Sequence, residues 1–348
     1  MHWKRLHRSA ITLLPALLLW TAACGGGDAP DSSSPKVETR FMSLGTAPPG
    51  GAFFVVGGAL AEVLEQHQGE AGWRVSAEAT KGTQENIRRL ARGELDLALA
   101  NSAISYFAVR GEGGWEEAQE VRAIMTLAPN VALFITPKSS GLESISDLRD
   151  QRVVVGPAGA GFEYFIRPLL AAHGLTYDDF DPLYATQVGA VDMLGDGAAG
   201  AAFLGGAVPT ASITQAAAGQ EVHFMPLDED ARQQLINDYL FFRPAVIPAG
   251  TYRGLEEDYP GLDVGSMHLI VPAAQDEEVV YQATRTLYEN RAEVVERHPA
   301  GRAINPANVI RDTGTEFHPG AIRYYREIGI WPDEPEAGPE SPGDSPSP

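Results

Sequence analysis

NIRRLARGELDLALANS, residues 86–102, and AVDMLGDGAAGAAFLGG, residues 190–206, share one layout. Each opens with a short helical pattern around Leu90 or Leu194, reaches a glycine at Gly93 or Gly197, and continues as an apolar strand ending in a small polar or glycine turn. A glycine suits the left-handed position that closes a helix, because it has no Cβ to clash there. The same helix–glycine–strand unit, 104 residues apart, predicts two similarly built α/β lobes. Chance recurrence in Ala- and Gly-rich sequence is the competing explanation, so the rest of the chain must decide.

Working outward, short β-rich runs alternate with helical patterns, the grammar of α/β layers with largely parallel strands. Strands are expected over residues 38–44, 74–79, 95–101, 132–136, 152–156, 201–205 and 266–271. Helices are expected over residues 54–66, 84–92, 145–148, 163–173, 190–195, 209–218 and 277–296, the last long and amphipathic.

Two strand ends carry the functional signal. The first strand runs into GTAPPGGAFF (residues 45–54), and the strand at 152–156 runs into PAGAGFE (residues 157–163); each turn leads into a helix. Free N–H groups and the helix dipole at such a helix start can hold an anion, and in open α/β sheets these turns lie where ligands bind. One turn per lobe predicts a small anion gripped between them. The main-chain amides of Gly45, Thr46, Gly51 and Ala52, and of Gly159, Ala160, Gly161 and Phe162, are the expected contacts. Asn101 and Ser102 end a strand facing the same cleft. Phe53, Phe54 and Phe162 are candidates for its wall, and Lys81, just before a helix, is its candidate cation. Each of these glycines also has a purely conformational reading as a tight turn, each aromatic one as core, and Lys81 one as a solvated loop residue. A dinucleotide fingerprint is disfavoured at Gly159-Ala160-Gly161, because its third glycine would fall at Tyr164, and no phosphate-loop lysine follows.

Several segments in order resemble the TAXI family of TRAP-transporter solute-binding proteins, over nearly all of residues 41–331. They are SLGTAPPGGAFFVVGGALAEVL (43–64), EATKGTQENIRRLARGELDLALANS (78–102), GLESISDLRDQRVVVGPAGAGFE (141–163), HGLTYDDFD (173–181), GAAFLGGAVPTASI (200–213), PAVIPAGTYRG (244–254) and HPGAIRYYREIGIW (318–331). The resemblance implies a two-lobed periplasmic-binding-protein fold of type II, with two hinge strands at 131–136 and 266–271 and the ligand in the interlobe cleft. Lobe I would comprise residues 37–130 and 272–332, and lobe II residues 131–271. It further implies a monomer that delivers a small carboxylate, such as glutamate, glutamine or a dicarboxylate, to a sodium- or proton-coupled TRAP membrane permease. The chain departs from that pattern where Ala160 and Phe162 replace hydroxyl residues, where Pro48 and Pro49 precede the first glycine pair, and where Gly200 replaces an aspartate. Lost hydroxyls predict a more apolar pocket and a ligand more hydrophobic than glutamate.

The ends of the chain have a different character. Lys4, Arg5 and Arg8, an apolar run over residues 10–23 and the small residues before Cys24 form a secretory leader too short for a comfortable membrane span. Cys24 is the sole cysteine of 348 residues and stands where bacterial lipoproteins are cleaved and acylated, so a periplasmic location with a lipid anchor is expected. Residues 24–36 read as a flexible tether, and residues 333–348, with five Pro and five acidic residues, as a disordered tail.

Composition narrows the function. With 26 Lys+Arg against 46 Asp+Glu the net charge is −20, which disfavours nucleic acid as a partner. One cysteine cannot build a disulfide framework or a Cys-rich zinc site. His173, His223, His268, His298 and His318 show no metal-ligand spacing, and no GxSxG nucleophile turn exists, so neither metal, cofactor nor catalysis is expected. The competing reading is a lipid-anchored sensor module that presents its closed form to a signalling receptor.

Overall fold

The computed structural model describes residues 39–332 apart from Gly50 and Glu70. The leader, Cys24, the tether and the acidic tail lie outside the described residues.

Twelve strands are present among the described residues: β1 Arg40–Gly45, β2 Trp73–Glu78, β3 Leu97–Asn101, β4 Val121–Thr126, β5 Val131–Pro137, β6 Arg152–Val154, β7 Asp181–Leu183, β8 Ala201–Gly206, β9 Val222–Phe224, β10 Phe242–Ile247, β11 Tyr259–Val264 and β12 Met267–Pro272. They form a five-stranded sheet, β2-β1-β3-β12-β4, and a seven-stranded sheet, β10-β11-β5-β8-β6-β7, with β9 also on β5. The helices are α1 Ala52–Gln66, α2 Thr83–Ala91, α3 Ser102–Ala108, α4 Glu163–Ala172, α5 Gln187–Gly195, α6 Ala211–Gly219, α7 Glu229–Asp238, α8 Glu277–Glu289, α9 Arg291–Arg297, α10 Pro306–Val309 and α11 Pro319–Glu327. Among the described residues, none is long and apolar enough to cross a membrane.

Residues 86–102 and 190–206 form equivalent pieces of the two sheets. In the first, α2 closes at Gly93 (φ 69°) and leads into β3; in the second, α5 closes near Gly197 (φ 75°) and leads into β8. Both strands are buried throughout. The long pattern at 277–296 is divided at Asn290 into α8 and α9.

The expectation of largely parallel strands needs correction. β1 is parallel to β2 and β3, and β6 to β7 and β8, but β12 runs antiparallel to β3 and β4, and β5 antiparallel to β8, β9 and β11. The cause is the crossing of the chain between sheets. β4 leaves the first sheet and β5 enters the second from the junction, while β11 leaves the second and β12 enters the first from the same side. A strand that starts at the junction must oppose strands that end there. The expected hinge strands, 131–136 and 266–271, therefore lie in different sheets, and the crossings are short links at 127–130 and 265–266.

Buried polar groups tie these links. The Asn101 side chain accepts from the Ala103 and Ile104 amides, capping α3, and donates to the carbonyls of Val264 and Gly265. Asp263 accepts from the Asn130 amide at 3.0 Å and from the Ser266 hydroxyl, which in turn accepts from Arg311. Burial pushes the Asp263 carboxyl up to about 6, against the opposing pull of Ser266 and Arg311. His268 on β12 is fully buried against Ser105 at 2.8 Å, and burial pushes it down to about 3, so it is neutral at ordinary pH.

Candidate functional site

The ends of β1, β3, β6 and β8 converge on a cleft between the two sheets. α1 and α2 bring their N-termini to it from the first lobe, and the 157–162 turn and the start of α5 bring theirs from the second. The lobes touch over one side of the cleft. The Gln84 amide faces the Ala160 carbonyl at 3.5 Å, the Gln84 side chain donates to the Tyr164 hydroxyl at 3.3 Å, and Phe107 packs 5.7 Å from the Tyr164 ring. Beside this contact lies a cavity of about 90 Å³. One water needs roughly 10–15 Å³, so the cavity has room for a small solute.

Of the residues expected at the site, Gly51, Ala52, Phe53, Lys81, Asn101, Ala160 and Phe162 line this cavity. Five others do not. Gly45 is a strand residue paired with Glu78 and Ala98, and the Thr46 amide and hydroxyl both donate to the Glu78 carbonyl, so these groups belong to the sheet. Ser102 is fully buried, with its amide donating to Ser266 in the second link. Gly159 is at an exposed turn tip. Gly161 (φ 92°) lies under Ile104, where a Cβ would come within 2.9 Å of its Cδ1. Asn101 borders the cavity, but its side chain is spent on the α3 cap and the 264–265 carbonyls. Among the aromatics, Phe54 does not line the cavity, whereas Phe165 and Phe203 do.

The remaining wall was not visible in the sequence. Thr83, Ile104, Asn130, Ala132, Thr186, Gln187 and Val188 reach the cleft because the two lobes meet there. Gln187 is held by Gly205, accepting its N–H and donating to its C=O, and also accepts from Ser212. The Asn130 side chain, on the first link, makes no hydrogen bond to a described residue, which leaves its amide available to a ligand.

Electrostatically the cleft favours an anion. Neither α1 nor α2 has a side-chain cap. The Ala52, Phe53 and Thr83 amides make no hydrogen bond to a described residue, so orphan N–H groups and two helix dipoles meet the cavity from one lobe. Lys81, between β2 and α2, is the one charged side chain lining the cavity, and among the described residues its amine makes no ion pair. The opposite wall is apolar, formed by Phe162, Phe165, Phe203 and Val188. No cluster of metal-ligating side chains occurs among the described residues. Two histidines have capping roles instead: His298 accepts from the Ala300 amide and His318 from the Gly320 amide, each before a proline that opens a helix.

Comparison with known proteins agrees with this architecture and corrects the family. Residues 44–329 match the NMT1-like family. A binding-protein component of an ABC phosphonate transporter from Pseudomonas aeruginosa superposes with a TM-score of 0.50 at 10% identity, covering 78% of this chain and 89% of that one. PhnD1 from Prochlorococcus marinus, in complex with methylphosphonate, gives 0.49 at 11% identity over 83% and 95% of the chains. The alkanesulfonate-binding protein SsuA from Xanthomonas axonopodis pv. citri, bound to MOPS, gives 0.45 at 15% identity over 84% and 94%. The resemblance to TAXI proteins of TRAP transporters is thereby overturned; several of the segments that carried it, at 43–64, 141–163 and 200–213, are strand–turn–helix stretches of the two-lobed fold. The chain has the two-sheet periplasmic-binding-protein fold and belongs to the NMT1-like family.

Proposed function

We propose that this chain is the extracytoplasmic solute-binding protein of a transporter, and that it captures a small organic anion with an apolar body by closing its two lobes. The observation that carries this reading is the asymmetric cleft. Uncapped helix starts and Lys81 face one end of the cavity, while aromatic rings form much of the rest. A charged head would bind at the Ala52–Phe53 and Thr83 amides and the Lys81 amine, with Asn130 as a further donor, and its body would lie against Phe162, Phe165 and Phe203. Contact with both lobes stabilises the closed form over the open one, so binding alone shifts the hinge equilibrium and no chemical step is needed. The net charge of −20 offers no long-range attraction to an anion, so capture rests on these local donors and on burial. In this reading Cys24 anchors the protein to a membrane by a lipid, a role supported by the sequence pattern alone.

A thermal-shift screen of carboxylates, sulfonates and phosphonates of graded tail length tests the ligand class, because a tight ligand raises the melting temperature by mass action. Apolar mono-anions are expected to give the largest shifts. Glutamate binding tightly while apolar acids leave the melting temperature unchanged would overturn the reading.

A further inference from the structure

A second cavity lies behind the hinge. Asn130 and Ala132 line the ligand cleft, whereas Ala128, Pro129 and Val131 line an open groove of about 580 Å³; Gly205 and Gly206 face the cleft, and Ala207 and Val208 the groove. The two cavities therefore flank the same pieces of chain. The groove draws on both lobes: Arg243 comes from β10 of the second, and Arg302 and Arg311 come from the segment around α10 of the first.

Arg243 and Arg302 stand out in an acidic protein. Elsewhere guanidinium groups are spent on the protein itself, Arg89 on Glu78 and Glu94, Arg297 on Glu62, Arg323 on Glu277 and Glu278, and Arg110 and Arg167 on tyrosine rings. Arg243 and Arg302 are exposed, and their side chains make no hydrogen bond, ion pair or ring contact among the described residues. Arg311, partly buried at the groove wall, is spent on the protein: its Nε donates to Asn308 Oδ1, another of its nitrogens donates to the Ser266 hydroxyl and lies 3.9 Å from Asp263, and its Nη1 is buried without a hydrogen-bond partner. Asp263 is the one carboxylate lining the groove, so the three guanidinium groups exceed the negative charge there.

We propose that this groove is an anion site, separate from the ligand cleft, that takes a small multivalent oxyanion of phosphate or polycarboxylate type bridging the two lobes. Guanidinium groups donate in pairs to such oxygens, and the two exposed, unpartnered ones, one from each lobe, suit a multivalent anion better than a single carboxylate, with the Arg311 charge behind them. The bridge also couples the site to the hinge. Links 127–130 and 265–266 separate the cleft from the groove, so turning the lobes about them changes the width of both, and an anion bridging the lobes binds the open and closed forms unequally. By linkage, solute in the cleft then changes anion binding in the groove by the same factor as the anion changes solute binding.

The test is calorimetric titration of the full-length protein with inorganic phosphate and, separately, with citrate, at constant ionic strength set with sodium chloride. The proposal expects at least one of the two anions to bind, and which one binds names the source chemistry. R243Q and R302Q should each weaken binding at least fivefold, because the anion bridges both lobes, while K81M in the ligand cleft should leave it within twofold. Both arginines are exposed and unpartnered, so unchanged melting temperatures of the variants confirm that folding is not at issue. Four results would overturn the proposal: neither anion binding beyond the sodium chloride control, binding that survives both arginine variants, binding that depends on only one of them, or binding lost in K81M. The last would place the anion in the ligand cleft.

Discussion

Asp263 offers the sharpest physical test of how the hinge is held. Its carboxylate is fully buried, and the guanidinium of Arg311 reaches it mainly through the Ser266 hydroxyl, the direct separation being 3.9 Å. Desolvation therefore outweighs the ion pair and raises the carboxyl from 3.8 to about 6. At about 1.4 kcal/mol per unit, that shift corresponds to about 3 kcal/mol. Between the two values the folded state binds more protons than the unfolded state, so Asp263 adds stability as pH falls from about 6 towards 3.8 and loses it as pH rises. Replacing it by asparagine removes this titration while other titrating groups remain common to both proteins. Urea denaturation of the wild type and D263N at pH 7.5, 6, 5 and 4 should show the wild type gaining on the variant by up to about 3 kcal/mol from the highest pH to the lowest. A difference independent of pH, or a wild type that loses ground on acidification, would refute the reasoning. The latter would mean that Arg311 holds the carboxylate ionised and the hinge rests on a true ion pair.

Other expectations follow from the same contacts. K81M should weaken binding of the best anion from the solute screen about tenfold, the low end for a hydrogen bond to a charged group because Lys81 is exposed, and calorimetry will show it; affinity within twofold would remove Lys81 from the site. Q84A breaks the bond to Tyr164 across the lobes and should weaken solute binding about two- to tenfold, with Y164F giving a similar loss and the double variant little more; additive losses in that cycle would mean the two residues act separately. In G265A a Cβ would stand 2.4 Å from Asn101 Oδ1 with the backbone at φ 109°, so strain and a damaged α3 cap should cost about 2–4 kcal/mol in chemical denaturation; a cost below about 0.5 kcal/mol would show that the link is slack. His268, neutral in the fold at about 3, should impose a loss of stability as pH falls below its unfolded value of 6.5; this loss should be absent in a folded H268N variant.

The sequence revealed most where a residue's burial followed from its own neighbours. β3, β5, β8 and β12 are apolar runs buried almost throughout, and their strands could be read directly. β10 and β11 escaped because Pro244 and Pro260 interrupt runs that are half-exposed or stabilised by the hairpin between them. α3 escaped because it begins at the residue after β3, with Asn101 as strand end and helix cap at once. The same distinction holds in the cleft. Gly51, Ala52, Phe53, Ala160 and Phe162 sit on strand-to-helix turns, a local pattern. Asn130, Gln187 and Phe203 enter the wall only through the meeting of lobes, which no local pattern encodes. Gly45 and Thr46 misled because their amides look free in a turn, whereas β2 pairs with them from beyond α1.

The most direct test of the whole account is to purify the full-length chain without unfolding it, release whatever it carries by denaturation, and identify the released molecule by mass spectrometry. The account predicts a stoichiometric small organic anion with an apolar body, whose return to the stripped protein raises the melting temperature and reduces the radius of gyration in small-angle scattering as the lobes close. Recovery of a neutral sugar or a cationic solute instead, or an anion that binds without compacting the protein, would contradict it.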